Sequence, residues 1–167
     1  MKSRANAFSN ARKLGDSMRV AGANNRKAGE TTMAAGRVVA ERVSLGAAAM
    51  IDPRRADFAE FAKIIPEKAV AFSEAGMTWL HWSGKIAERM ASFAAGEMAQ
   101  VAEATVAIAS CRTPAGVIAA QSRFATAWCA RALAQSIALG SLTLRSQGAA
   151  MAPVHRAATA NARRLSR

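Results

Sequence analysis

The sequence predicts an all-α protein, an elongated antiparallel hairpin of two long amphipathic helices with shorter flanking helices, forming a helical bundle or a coiled-coil oligomer. Of its 167 residues, 43 are alanine, the strongest helix former. Only nine are aromatic, and none is tyrosine, so thin helix-on-helix contacts are favoured over a thick core. The four prolines each stand where a helix can begin.

The N-terminal region is expected to be a flexible basic arm. Residues 1–27 mix Asn, Ser and Gly with seven Lys or Arg side chains and hold few large apolar groups. A weak helical periodicity then begins over residues 28–50. We therefore divide the chain into this arm, residues 1–27, and a helical domain over residues 28–167.

The prolines set the expected helix boundaries. Asp52–Pro53 and Thr113–Pro114 each combine an N-cap residue with a proline in the first turn. Pro66 is followed by Glu67, whose charge suits the positive end of a helix dipole. The expected helices are two long ones over about 66–110 and 114–151 and a short basic tail helix over 153–165.

The first long helix carries more apolar surface than one helix contact can use. Counted at about 100° per residue, one apolar stripe is aromatic and a second, aliphatic stripe lies roughly 100° further round. The aliphatic stripe, from Met77 and Leu80 to Ile108, suits a partner helix. The aromatic stripe then needs a different apolar surface, and it comprises Phe72, Trp79, Trp82, Ile86, Met90 and Phe93.

The second long helix shows the same excess. One of its stripes includes Phe124 and Trp128, and further apolar residues lie on nearly the opposite side. Two interpretations of these aromatic residues remain open at this point. They form either a face that adsorbs to an apolar surface or the core of a bundle or oligomer.

Charge is concentrated at the two ends of the chain, whose formal net charge is +12. Residues 1–27 carry a net +6, residues 28–103 a net −2, and eight arginines follow Glu103 without a single acid. The basic ends either contact anions or form a solvated fringe that repels like particles. The candidate anion contacts in the tail are Arg156, Arg163, Arg164 and Arg167.

No pattern of catalytic residues is present in the sequence. The two histidines, His81 and His155, lack carboxylates at ligand spacing, and the glycines are scattered instead of forming a phosphate-binding loop. We predict no catalytic residue, no cofactor-binding residue, no metal site and no enzymatic activity. The longest charge-free apolar run, residues 132–144, is too short to span a bilayer, and no secretory signal precedes it, so we expect a cytoplasmic protein.

Three segments resemble the phasins, helical proteins that coat polyhydroxyalkanoate storage granules. They are IIPEKAVAFSEAG (residues 64–76), TPAGVIAAQSRF (113–124) and APVHRAATANARRL (152–165). The resemblance extends over roughly residues 28–167. Residues that match the family by position are Glu67, Lys68, Phe72, Thr113, Pro114, Gln121 and Phe124.

The resemblance implies a cytoplasmic, granule-associated and non-enzymatic role. A phasin would adsorb to the granule surface through apolar helix faces, limit granule coalescence, form a homo-oligomer and influence a granule synthase or depolymerase. The face for the granule surface or a partner helix would then be the two aromatic stripes. The alternatives are a basic helical nucleic-acid-binding or nucleoid-associated protein, tested by the salt dependence of binding, and a plain helical oligomerisation adaptor.

Overall fold

The computed structural model describes the backbone of residues 2–166 and the side chains of residues 8–54 and 56–166. Three long helices make up nearly all of it: α1 (Lys2–Ile51), α2 (Phe58–Ala109) and α3 (Pro114–Leu165). A 3-10 turn over Pro53–Arg55 connects α1 to α2. No strand occurs in this part of the chain, so the predicted all-α class is confirmed.

Helix α1 differs from the expected flexible arm, because residues 2–27 belong to one continuous helix with the segment that follows. The side chains of this region explain the difference. Asn24 donates from Nδ2 to the Leu144 carbonyl at 2.7 Å, and Lys27 donates from Nζ to the Gly148 carbonyl at 3.2 Å. Polar side chains that suggested a solvated arm therefore join α1 to α3.

Two prolines that were expected to start helices lie inside them instead, Pro66 in α2 and Pro153 in α3. The start of α2 is set earlier by Asp57, whose Oδ1 accepts a hydrogen bond from the Glu60 backbone N–H at 2.8 Å. Helix α3 begins at Pro114, where Thr113 Oγ1 accepts from the Gly116 N–H at 3.1 Å. The expected tail helix is consequently the last part of α3.

The described residues divide into two compact units, each containing segments of all three helices. Unit 1 takes residues up to 17 together with 83–143, and unit 2 takes residues 18–82 together with those from 144 onward. In unit 2, α1 runs parallel to α3, because Asn24 bonds to Leu144 and Lys27 bonds to Gly148 further along both helices. Helix α2 runs antiparallel to α3, because Glu67 bonds to Arg164 and the later Glu74 bonds to the earlier Arg156.

The apolar core of each unit consists of small side chains. In unit 2 the buried apolar residues described are Ala34, Val38, Ala71 and Pro153, and in unit 1 the one described is Ala120. None of the large side chains described is fully buried. Since free energy from burial scales with apolar area, these contacts stabilise the bundle weakly, and other interactions must fix the helices against one another.

In unit 2, those interactions form an ion-pair cluster of Arg42, Glu60, Glu67 and Arg164, hereafter the Glu60 cluster. The buried Glu60 carboxylate accepts hydrogen bonds at 3.0 Å from both Arg42 of α1 and Arg164 of α3. Arg164 also donates to Glu67 at 2.5 Å, and this hydrogen bond lowers the pKa of Glu67 and raises the pKa of Arg164. One cluster therefore links all three helices.

In unit 1, α2 and α3 are joined by a bidentate ion pair between Arg131 and Glu97. Arg131 donates from Nε to Glu97 Oε1 at 2.6 Å and from Nη2 to Oε2 at 2.9 Å, which lowers the pKa of Glu97. One α2–α3 contact uses an amide instead of an acid, since Arg89 Nε donates to Gln135 Oε1 at 2.9 Å. Helix α3 contains no acid, and the carboxylates that pair with Arg131, Arg156 and Arg164 come from α2.

The Glu60 cluster should contribute more to stability than an exposed ion pair of the same type. We expect Glu60→Gln to lower the free energy of unfolding by about 2 kcal/mol, because it leaves two arginines facing one carboxylate at a buried position. The matched control is Glu74→Gln, which removes the exposed pair with Arg156 and should cost less than about 0.5 kcal/mol. Urea unfolding followed by circular dichroism measures both values. Equal losses would contradict this role for the cluster.

Candidate functional site

Helix α2 presents a row of large apolar side chains to solvent in unit 2. Phe58, Ile65, Phe72 and Trp79 are 73%, 78%, 63% and 58% exposed, and they follow one another at intervals of seven residues. Residues seven apart lie almost above one another on a helix, with a drift of about 20° per step. These four residues therefore share one face, and we call them the α2 outer row.

Sequence reasoning identifies half of this row. Phe72 and Trp79 belong to the predicted aromatic stripe, whereas Phe58 and Ile65 precede the helix start expected at Pro66. Two signals could have identified them. The seven-residue spacing continues back to Phe58, and Asp57 with Glu60 forms the cap that starts the helix there.

Four residues of the aliphatic stripe are exposed on the single chain instead of packed against a partner helix. Met77 and Leu80 in unit 2 are exposed, and so are Met98 and Val101 in unit 1. The inner side of α2 in unit 2 instead carries Ala71 and the carboxylates of the Glu60 cluster. Small and ion-paired residues allow the helices to approach closely, so the bulkier aliphatic residues remain outside.

The remaining members of the aromatic stripe are more enclosed. Trp82 in unit 2 and Ile86 and Phe93 in unit 1 are half-buried, while Met90 in unit 1 is exposed. Ile86 and Phe93 continue the seven-residue spacing of the α2 outer row, and the drift of about 20° per step turns them away from the direction of Phe58. The predicted stripe therefore combines an exposed part with a part that supports packing.

The aromatic residues of α3 lie in unit 1. Phe124 is half-buried, and the Arg131 guanidinium lies 5.8 Å from its ring centroid, within cation–π range. Trp128 is exposed. Phe124 thus supports the ion pair between Arg131 and Glu97, and Trp128 adds a single large aromatic group to the surface of unit 1.

Two of the four candidate anion contacts are engaged within the chain. Arg164 belongs to the Glu60 cluster, and Arg156 pairs with Glu74 at 3.0 Å. Arg163 is exposed, and Arg167 lies outside the described residues. The tail therefore retains less positive charge for an external anion than its sequence indicates.

A cationic groove in unit 1 was not predicted. It has a volume of about 950 Å³, and its charged lining residues are Lys13, Arg123 and Arg131, with hydroxyl and amide groups from Ser9, Asn10, Ser122 and Thr126. None of the residues that line it is acidic. The groove joins positions of α1 and α3 more than a hundred residues apart in sequence, and local spacing carries no signal for such a pairing.

Each of the two histidines contacts one neighbouring side chain. His155 Nε2 lies 2.9 Å from Glu30 Oε2, and His81 contacts the Trp82 ring edge-on at 6.3 Å between centroids. The features suited to binding are therefore two surfaces, the exposed α2 outer row in unit 2 and the cationic groove between α1 and α3 in unit 1. None of the helices described is long and apolar enough to cross a membrane.

Comparison with known proteins assigns the family. No curated protein and no solved structure matches the chain. A family model described as "Phasin protein" matches residues 56–158, which is more than half of the chain. The matched region includes all of α2, and with it the α2 outer row, and most of α3. The chain therefore belongs to the phasin family.

Proposed function

We propose that this phasin coats polyhydroxyalkanoate granules in the cytoplasm, adsorbs through the α2 outer row and limits granule coalescence. Phasins are a non-enzymatic family of granule-associated structural proteins, and membership implies an association with such granules. Adsorption through the α2 outer row is proposed because Phe58, Ile65, Phe72 and Trp79 are all exposed along one helix face. An isolated exposed leucine is ordinary, whereas a contiguous apolar patch marks an interaction surface.

The energetics of adsorption favour this face. A large apolar side chain gains about 1.5–3 kcal/mol when it is transferred completely from water to an apolar environment. Four such residues in one row can enter the same flat surface together, as an amphipathic helix does at a lipid interface. Tryptophan suits this boundary, because the apolar ring of Trp79 can enter the polymer while its indole N–H stays hydrated.

Charge supports the second half of the proposal, which is the hindrance of coalescence. The chain carries a formal net charge of +12, so a coat of many copies gives each granule a positive surface. Coated granules then repel one another over roughly a Debye length, about 8 Å at physiological salt.

Other partners complete the proposal. Away from granules, a homo-oligomer would cover part of the apolar surface and separate on contact with polymer. A granule synthase or depolymerase is a further candidate partner, as the family implies. Neither partner is required for adsorption through the α2 outer row.

Replacing the aromatic members of the row should release the protein from polymer. We expect the double variant Phe72→Ser, Trp79→Ser to bind purified polyhydroxyalkanoate particles at least about tenfold more weakly, because it removes most of two large apolar contacts. Both residues are exposed, so circular dichroism should show an unchanged fold. The measurement is a sedimentation assay across particle concentration.

Two control variants define this experiment. Phe72→Leu with Trp79→Phe keeps the face apolar and should retain binding within about threefold, and Arg163→Ser removes an exposed charge and should have a smaller effect than the double Ser variant. If the Ser variant binds like the unchanged chain, or if Arg163→Ser matches its loss, adsorption does not use the aromatic row.

A second candidate function, nucleic-acid binding, is favoured by the cationic groove of unit 1. Lys13 and Arg123 would meet phosphate groups there, and the hydroxyl groups around them would donate to phosphate oxygens. Neutralisation of phosphates releases counterions, so binding of this kind weakens steeply as salt rises.

A gel-shift titration of a DNA duplex across salt concentrations tests this candidate. Binding through the groove predicts a steep salt dependence, and its slope should fall by about one unit in Lys13→Ala and in Arg123→Ala, since each substitution removes one cation from the phosphates. Absence of a shift, or a shift unaffected by these substitutions, rejects it. If particles and DNA both fail to bind, a plain oligomerisation adaptor is the remaining interpretation.

A further inference from the structure

Helix α1 carries a row of large exposed apolar side chains in unit 2. Val39, Val43 and Met50 are 61%, 66% and 87% exposed. At about 100° per residue they fall within roughly 40° of one another around the helix, so they share one face, and we call them the α1 row. Arg37 and Glu41 lie on the opposite side of α1. The other exposed residues of this face over residues 32–50 are uncharged and comprise Thr32, Gly36, Ala40 and Ala47.

The α1 row and the α2 outer row border a common groove. Val39 and Val43 of α1 and Phe72 of α2 line this groove, whose volume is about 510 Å³. Val154 and Ala157 of α3 also line it and are half-buried. The α1 and α2 residues are each more than half exposed, so they form the two rims of an open groove, and its α3 lining lies deeper.

The two rows also extend to the connection between α1 and α2. Met50 and Ile51 at the end of α1 are exposed, and so is Phe58 at the start of α2. Large exposed apolar side chains from both helices therefore flank the groove and the connection beside it. Together they form a broader apolar surface than the α2 outer row alone.

The charged groups of the groove do not prevent an apolar surface from covering its rims. Arg42 and Glu67 are held in the Glu60 cluster, where Arg42 donates to Glu60 and Arg164 donates to Glu67. Lys68 also lines the groove and is exposed. The alkyl stem of a lysine can lie along an apolar surface while its ammonium group stays in water. Contact at the rims therefore leaves the buried ion pairs intact.

Another side of unit 2 is charged. Glu30, Arg37 and Arg163 line a separate groove between α1 and α3. Residues two apart on a helix point in nearly opposite directions, about 200° apart, and this spacing separates Arg37 from Val39 on α1. It also separates Arg163 from Asn161, which lines the apolar groove on α3. Contact through the two apolar rows therefore leaves these charges in water.

We propose that α1 is a second adsorbing element of this phasin, and that the α1 row enters the granule surface together with the α2 outer row. This inference rests on the proposed coating function and extends it to a helix outside the family match over residues 56–158. The polymer surface is the occupant that fits, because a broad apolar surface covers both rims at once. A small ligand within the groove would leave the outward parts of Val39, Val43 and Phe72 in water.

Sedimentation of valine variants with purified polyhydroxyalkanoate particles tests the inference. We expect Val39→Ser with Val43→Ser to bind at least about fivefold more weakly, because the double variant removes apolar contact area from one rim. Val70→Ser is the matched control, since Val70 is 58% exposed on α2 and lies about 200° from Phe72. It should bind within about twofold of the unchanged chain, and Val43→Ser alone should weaken binding more than it does. Valine and serine have similar helix propensities, so circular dichroism should show equal helix content.

A fluorescent probe at one position gives a second readout that does not depend on affinity. Cys111→Ser and Cys129→Ser remove the two native cysteines, so that an environment-sensitive fluorophore can be attached at Val43→Cys or, as the control, at Val70→Cys. We expect particles to shift the emission of the probe at position 43 to shorter wavelength and to leave the probe at position 70 unchanged.

The outcomes separate this inference from the coating function. If the double Ser variant of α1 binds like Val70→Ser and the probe at position 43 keeps its emission, while Phe72→Ser with Trp79→Ser still loses binding, α1 does not adsorb and the coating function stands. If the unchanged chain binds no particles, both are wrong. A free chain whose sedimentation coefficient falls in the double Ser variant, with particle binding unchanged, would also overturn the inference, because a second copy would then cover the α1 row.

Discussion

The ion pairing of α3 arginines with α2 carboxylates is the interaction on which the rest of this phasin depends. An alanine-rich bundle gains little from each buried side chain, and the buried apolar residues of unit 2 are no larger than valine. The Glu60 cluster in unit 2 and the pair of Arg131 with Glu97 in unit 1 supply the specific contacts that such a core lacks. The absence of acids after Glu103 fits this pairing, because the carboxylates that bind the α3 arginines lie on α2.

This way of holding the helices leaves a row of large apolar residues of α2 on the surface of unit 2. Alanine and ion-paired side chains occupy the inner side of α2 in unit 2, so Phe58, Ile65, Phe72 and Trp79 point to water. In an ordinary globular protein the same residues would form the core and contribute most of the stability. Here the chain gives up that contribution, and the exposed row becomes available for an apolar surface outside the protein. The proposed coating function thus follows from the physical cause that makes the core thin.

The fold class could be predicted from composition alone, whereas the helix boundaries required tertiary information. Alanine content disfavours strands, but the preference of proline for a first turn wrongly predicts helix starts at Pro66 and Pro153. The cap at Asp57 and Glu60 is a local signal that could have corrected the start of α2. The helix over residues 2–27 could not be found in the same way, because its contacts reach across the chain from Asn24 to Leu144.

For the candidate site too, local features could be predicted from the sequence, whereas long-range contacts could not. Phe72 and Trp79 were predictable from helical periodicity, and extension of the seven-residue spacing would have added Phe58 and Ile65. The ion pairs of Arg164 with Glu60 and Glu67 could not be inferred from the sequence, since about a hundred residues separate the partners. The cationic groove depends on how α1 and α3 meet in unit 1, and no local pattern encodes it. Sequence periodicity therefore identifies an apolar helix face, and the contacts between helices determine whether that face is exposed to solvent.

Adsorption through the α2 outer row requires that this row is exposed to water in the free chain and enters the polymer on binding. A chain with Trp79 as its single tryptophan, made by Trp82→Phe and Trp128→Phe, tests this directly. At a concentration at which the protein sediments as a monomer, we expect acrylamide to quench Trp79 readily. We expect polyhydroxyalkanoate particles to shift its emission to shorter wavelength and to protect it from acrylamide. A Trp79 that is already protected in the free monomer, or that stays equally accessible on the particles, would contradict adsorption through this row.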